Sequence, residues 1–116
     1  MATIAVQTLP ANGQGLAGIT WTPASGGGDD FDNSGNEIVL VRAGATWTTE
    51  TAQIEGVPAP DSGRDGTATL DPQAVNGVDV GGPYPGRNWN AAGSVLLTYP
   101  GGVTGLDVAV VRVPRG

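Results

Sequence analysis

Short apolar segments separated by glycine and proline run along the whole chain, and their residue types predict β-strands. Segment 37–43 (EIVLVRA) is apolar on both faces of an extended strand, which is typical of a central strand. Helices are disfavoured because each interior glycine costs about 1 kcal/mol and each proline about 3 kcal/mol, and the longest segment without either is 45–55. The predicted strands are residues 3–9, 19–22, 37–43, 45–54, 67–70, 78–80, 94–99 and 106–113.

Turn signals recur about every 8–12 residues, the spacing of strands in a β-sandwich. We therefore predict an all-β protein with a single domain over residues 1–116, folded as one antiparallel β-sandwich or jelly roll of about eight short strands. Gly44, between the third and fourth predicted strands, indicates a tight hairpin. Residues 3–9 form either the first strand or part of an extended N-terminal arm over residues 1–18.

The amino-acid composition excludes most catalytic chemistry. The chain contains no cysteine, histidine or lysine, so it has no thiolate, imidazole or amine for nucleophilic or acid–base catalysis and no Cys or His ligand for zinc. Eleven acidic residues allow carboxylate pairs of the kind that hydrolyse glycosides, but the sequence singles out no pair. We predict that the protein is not an enzyme and binds no cofactor.

The net charge of −6 disfavours partners that carry negative charge. Phosphate backbones and anionic lipid headgroups would be repelled, so we predict no nucleic-acid partner and no membrane partner. No apolar segment approaches the length of a membrane span. The first basic residue is Arg42, and the absence of a positive region before it predicts a chain without a signal peptide.

The acidic segment 29–37 resembles the opening of a calcium-binding loop. Asp30, Asp32 and Ser34 place side-chain oxygens at positions 1, 3 and 5, and a glycine follows at position 6. The bidentate glutamate expected at position 12 is replaced by Val41. The alternative interpretation is a solvated turn that leads into the following strand.

A loop rich in proline and glycine places Tyr84, Arg87 and Trp89 close together in sequence. These residue types are enriched at protein interfaces, so the three are candidates for a partner interface. Two alternatives stay open: the aromatic rings cap the core of the sandwich, or they stack on sugar rings. Arg112 and Arg115 at the end of the chain are further interface candidates, because two cations on an acidic chain suit an acidic neighbour, although such tails are commonly solvated.

Four segments together resemble the small capsid decoration (cement) proteins of tailed bacteriophages, over roughly residues 13–113. The first leads into a glycine-rich stretch, the second joins an acidic entry to an apolar strand, the third is a loop with an aromatic residue between two prolines, and the fourth contains the last two strands. In order they read ANGQGLAGITWTPASGGG, GGDDFDNSGNEIVLVRAG, GGPYPGRNWN and GSVLLTYPGGVTGLDVAVVRV.

The resemblance implies a β-sandwich or jelly roll that binds the outer surface of an assembled capsid and stabilises the shell. The implied partner is the major capsid protein, and the implied state is a homo-oligomer, with a trimer favoured. The protein would be made in the host cytoplasm and located on the outside of the virion. The alternative is a virion or tail β-sandwich module that binds a host-surface glycan through Tyr84 and Trp89.

Overall fold

Ten β-strands make up the secondary structure in the computed structural model, which describes residues 2–8, 18–55, 67–82, 84 and 94–112. No helix within these ranges has the length and apolarity needed to cross a membrane. The strands are β1 (Ala2–Thr3), β2 (Val6–Thr8), β3 (Thr22–Pro23), β4 (Asp29–Asp32), β5 (Glu37–Ala43), β6 (Ala52–Glu55), β7 (Thr67–Leu70), β8 (Val78–Gly81), β9 (Ser94–Thr98) and β10 (Leu106–Arg112).

The strands form two sheets, which confirms the all-β sandwich. The first sheet has the order β1-β4-β9-β6-β7, and the second has the order β2-β10-β5-β8, with β3 also paired to β10. Most pairs are antiparallel, as predicted, but β1 pairs with β4 and β2 pairs with β10 in parallel. Parallel strands cannot be joined by a short turn, so no turn signal in the sequence predicts these two pairs.

The centre of the second sheet is the long pair β5 and β10. The two strands are antiparallel and paired over seven residues each, from Leu106 opposite Ala43 to Arg112 opposite Glu37. β5 lies between β10 and β8, and its Leu40 is only 4% exposed although it alternates with the core residues of the strand. The two-sided apolar pattern of segment 37–43 therefore correctly identified a central strand.

Apolar side chains from both sheets pack into one core. Full burial of a side chain the size of valine or phenylalanine contributes about 1.5–3 kcal/mol, and most of these residues are fully buried. The core contains Ile4, Phe31, Val39, Val41, Ala43, Trp47, Ala52, Ile54, Leu70, Tyr84, Val95, Leu97, Leu106, Val108 and Val110.

The N-terminal segment 2–8 links the two sheets. β1 lies at the edge of the first sheet and β2 pairs with the second, while Ile4 between them is 3% exposed in the core. The amide of Ile4 also donates to the carbonyl of Asp30 at 2.8 Å. This part of the predicted arm over residues 1–18 thus packs on its own chain, and residues 9–17 lie outside the described residues.

The predicted hairpin around Gly44 is wrong, because β5 and β6 belong to different sheets. The predicted strand 45–54 is replaced by a turn followed by the shorter β6. The carboxylate of Glu50 accepts the amides of Thr48 and Thr49 at 2.9 and 3.0 Å, and the indole of Trp47 donates to the carbonyl of Glu50 at 2.7 Å. These bonds satisfy backbone groups that a hairpin would have used.

The sequence DDFD forms β4, a strand that was not predicted because three of its four residues are acidic. Asp29 and Phe31 are buried, whereas Asp30 is half-buried and Asp32 is exposed. The alternation follows the two-residue period of a strand. Phe31 is 0% exposed, and its burial fixes which face of β4 points to the core. The carboxylate of Asp29 lies on the same face and is therefore also buried.

Candidate functional site

The three residues of the predicted calcium loop have different roles in the fold. The carboxylate of Asp30 accepts the hydroxyl of Thr3 at 2.7 Å, Asp32 is exposed on β4, and Ser34 hydrogen-bonds to Glu37. No group of three acidic residues that could hold a metal ion occurs in the part of the chain that is described. The turn into the next strand is found at residues 33–36, whereas residues 29–32, which were also interpreted as turn, form β4.

Glu37 is a buried carboxylate that holds this turn closed. Its side chain is 0% exposed and accepts the amide of Ser34 at 2.6 Å, the hydroxyl of Ser34 at 2.8 Å and the guanidinium Nε of Arg112 at 2.6 Å. Burial alone would raise the pKa of Glu37, but the hydrogen bonds from Arg112 and Ser34, together with the charge of Arg112, lower this pKa to about 2. The cluster fixes the start of β5 against the end of β10.

Of the predicted interface cations, Arg112 is the one that lies within the described residues. Its side chain is 45% exposed, and its guanidinium forms an ion pair with the buried carboxylate of Glu37 in the same molecule. Arg87, Trp89 and Arg115 lie outside the described residues. They stay predictions.

Tyr84 belongs to the core, which corrects its assignment to a partner interface. Its side chain is 3% exposed, and its ring centroid lies 6.5 Å from that of Phe31. The side-chain amide of Asn33 donates to the Tyr84 carbonyl at 2.6 Å. Burial, and then the negative charge of Asp79, raise the pKa of Tyr84 to about 12. A ring in this position is part of the core, so the Tyr84 half of the glycan alternative loses its basis.

An exposed apolar surface lies beside the edge strand β8, and we call Val75, Val78 and Val80 the valine patch. They are the exposed large hydrophobic side chains of the described residues, between 36% and 52% exposed. The amide of Val80 is bonded at 2.9 Å to the carboxylate of Asp79, which also accepts the amide of Asp71 at 3.0 Å. Because the Val80 amide is occupied, a partner would contact the valine side chains rather than extend the sheet at this position.

A cleft of about 280 Å³ opens where the glycine turn after β3 meets the end of β9. We call it the glycine cleft. The turn is closed by the amide of Gly28, which donates to the carbonyl of Ser25 at 2.9 Å. The residues that line the cleft are Gly26, Gly27, Gly28, Thr98, Tyr99 and Pro100.

Asp29 lies next to this cleft and is fully buried. One oxygen, Oδ2, accepts the hydroxyl of Tyr99 at 2.6 Å and the amide of Ser25 at 3.1 Å. The other oxygen, Oδ1, is buried and has no hydrogen-bond partner. Burial, and then the hydrogen bond to Asp29, raise the pKa of Tyr99, so the phenol remains a donor to the carboxylate.

The sequence contains one indication that Asp29 points inward, but the acidic composition of its segment argued against a strand there. Asp29 precedes Phe31 by two residues, so both share one face if the segment is a strand. The hydrogen bond from Tyr99, 70 residues away along the chain, left no signal in the sequence. Comparison with known proteins finds no matching family model, no matching curated protein and no matching solved structure.

Proposed function

We propose that the protein is a non-enzymatic structural protein that binds the outer surface of a phage capsid and stabilises the shell. Its partner in this proposal is the major capsid protein, and it acts as a homo-oligomer, with a trimer favoured. It would be made in the host cytoplasm and carried on the outside of the virion. The observation that supports the proposal is the two-sheet β-sandwich, which is the fold that the resemblance to decoration proteins implies.

The segments that carry the resemblance contribute the middle of both sheets. The segment GGDDFDNSGNEIVLVRAG contains β4 and β5, and GSVLLTYPGGVTGLDVAVVRV contains β9 and β10. β4 pairs with β9 in the first sheet, and β5 pairs with β10 in the second. The resemblance therefore concerns the central strand pairs of the sandwich as well as its surface loops.

The roles of the carboxylates also favour a structural protein. Glu37 and Glu50 accept backbone amides and hold turns in place, Asp79 holds the amide of Asp71, and Arg42 forms an ion pair with Asp107 at 2.8 Å. Each of these carboxylates has a role in the fold. The acidic net charge suits a surface that faces solvent rather than packaged DNA.

We propose that the valine patch contributes to the contact with the shell. Removing exposed apolar area from water yields about 25 cal/mol for each Å², so the patch gains more from contact with a partner than the polar surface around it. The double substitution Val78→Ser with Val80→Ser removes this gain. Both side chains are exposed, so the core of the protein is left unchanged.

Co-sedimentation with particles from the protein's own source that lack it tests the function. The folded protein should pellet with the particles, the double serine variant should pellet less, and the control Ala45→Ser, at an exposed turn residue, should pellet as the unsubstituted protein does. Circular dichroism verifies that each variant is folded. Folded, unsubstituted protein that stays in the supernatant contradicts the proposed function, whereas equal pelleting of all three contradicts only the role of the valine patch.

A further inference from the structure

The turn over residues 74–77, which leads into β8, contains an asparagine followed by a glycine, and we call it the Asn76 turn. An asparagine in this position deamidates readily, because glycine has no side chain to hinder attack by its amide nitrogen on the asparagine. We propose that Asn76 is a deamidation site that reacts only when this turn opens, and that its isoaspartate product keeps the turn open. This inference does not depend on the proposed capsid role.

The fold itself requires this reactive pair of residues. The amide of Gly77 donates to the carbonyl of Ala74 at 2.8 Å. The φ of Asn76 is +67°, whereas that of Val75 is negative, so the turn is of type II. The third position of such a turn favours glycine or asparagine, which adopt a positive φ at low cost. At position 77 a Cβ would collide with the carbonyl oxygen of Pro72, so only glycine fits there.

The closed turn prevents deamidation. The attacking atom is the amide nitrogen of Gly77, and its proton is held by the carbonyl of Ala74. The third position of a type II turn has ψ near 0°, which eclipses this nitrogen with the nitrogen of Asn76 and not with its Cβ, so the five-membered ring cannot close. Ala43 of β5 fixes the arrangement, because its carbonyl accepts the amide of Asn76 at 2.9 Å and its amide donates to the carbonyl of Gly77 at 3.0 Å. Reaction therefore requires a local opening that breaks these bonds.

Deamidation needs only water besides the protein. The nitrogen of Gly77 gives its proton to a base in the solvent and forms a bond to Cγ of Asn76, while the bond from Cγ to the side-chain nitrogen breaks and ammonia leaves. Water then opens the resulting cyclic imide at either carbonyl. One product is aspartate, and the other is isoaspartate, in which the main chain runs through the former side chain.

Isoaspartate at position 76 is incompatible with the closed turn. It adds one atom to the main chain between the amide of residue 76 and the carbonyl of Gly77, the two groups that bond to Ala43. These two bonds cannot then both form, and the start of β8 separates from the end of β5. The new carboxylate also adds a negative charge between Val75 and Val78, two members of the valine patch. The modification thus changes both the shape and the charge of this surface.

Peptide mass spectrometry of the full chain after incubation in mildly alkaline buffer measures the rate of deamidation. The rate at Asn76 is compared between the folded protein and the protein unfolded in urea. The second Asn-Gly pair of the chain, Asn12 with Gly13, calibrates the intrinsic rate in urea. We expect the rate at Asn76 to be at least about tenfold lower in the folded protein. Equal rates at Asn76 in the folded and unfolded protein would overturn the proposal.

Val75→Gly tests whether opening of the Asn76 turn sets the rate. Val75 is 46% exposed, so the core is left unchanged, and glycine favours the open chain, which should raise the rate in the folded protein about two- to fivefold. The matched control is Thr104→Gly, at the same position of another turn, which the amide of Leu106 closes onto the carbonyl of Val103 at 3.1 Å. It should leave the rate at Asn76 unchanged. An equal increase in both variants would point to global unfolding and would overturn the proposal.

Hydrogen exchange at the amide of Ala43 reports whether the turn is closed, because this amide donates to the carbonyl of Gly77. The isoaspartate form is prepared by incubating Asn12→Ala, which retains one Asn-Gly pair, in urea, then refolding it and separating the products. We expect the Ala43 amide to exchange at least about tenfold faster in this form. Asn76→Asp, which adds the charge without lengthening the main chain, should exchange as the unmodified protein does. Unchanged exchange in the isoaspartate form would overturn the claim that the product keeps the turn open.

Discussion

Replacing Glu37 with glutamine should destabilise the protein at neutral pH and have much less effect in acid. The carboxylate is fully buried between the start of β5 and the end of β10, where it accepts hydrogen bonds from Ser34 and Arg112. Glutamine keeps the shape of the side chain but has no charge, so the charge-assisted bond to Arg112 is lost. One half of its amide is a donor and faces groups that also donate.

The magnitude follows from the pKa of Glu37, which lies at about 2 instead of 4.5. A difference of one in pKa corresponds to about 1.4 kcal/mol, which gives about 3 kcal/mol. Since Arg112 is 45% exposed, solvent screens part of its attraction, and we expect a loss of about 2 kcal/mol in the free energy of unfolding at pH 7. Because the folded-state pKa is lowered, this stabilisation is complete above about pH 5 and is lost as the pH falls through 4.5 toward 2.

Urea unfolding of Glu37→Gln and of the unsubstituted protein, at pH 7 and near pH 2.5, measures this difference. With a urea dependence of about 2 kcal/mol per molar, the midpoint should fall by about 1 M at pH 7 and by much less in acid. Asp32→Asn, which removes an exposed carboxylate, is the matched control and should change stability by less than about 0.5 kcal/mol. A midpoint difference that is absent at pH 7, or equally large at both pH values, would show that the charge of Glu37 does not stabilise the fold in this way.

Three further substitutions, with Gly26→Ala as a control, test the fold by thermal or urea unfolding. Phe31→Ala should cost about 3–5 kcal/mol, because the ring is fully buried; a cost below 1 kcal/mol would contradict its place in the core. Ile4→Ala should cost about 2–4 kcal/mol because Ile4 is buried in the core. An unchanged midpoint would instead favour an extended N-terminal arm that does not pack on the sandwich. Gly105→Ala should be strongly destabilising, because its φ is +70° and a Cβ would collide with the backbone of Trp47, whereas Gly26→Ala should be tolerated.

The long strands of the second sheet could be predicted because each of them is apolar on both faces. β5 was found with its observed bounds, and β10 with its observed start, while its predicted last residue, Val113, lies outside the described residues. β4 could not be found by the same argument, since three of its four residues are acidic and only Phe31 marks its inner face. The hairpin at Gly44 failed because local turn chemistry does not reveal which sheet the next strand joins.

The buried carboxylates depend on distant hydrogen-bond partners, which a pattern of hydrophobic residues does not reveal. Asp29 and Glu37 each lie two residues before a buried apolar residue, so the two-residue period places them inside. Their burial is possible only because Tyr99 and Arg112 reach them from 70 and 75 residues away. Without these partners, the cost of burying a carboxylate argues against a strand that contains Asp29, and no strand was predicted over residues 29–32.

The most direct test of the capsid role is the density of intact particles from the protein's own source, determined by cryo-electron microscopy with and without this chain. We predict additional density on the outer surface at defined symmetry positions, into which the two-sheet sandwich fits, and particles that withstand heating better when the density is present. Particles whose outer surface and thermal stability are the same with and without the folded protein would contradict it.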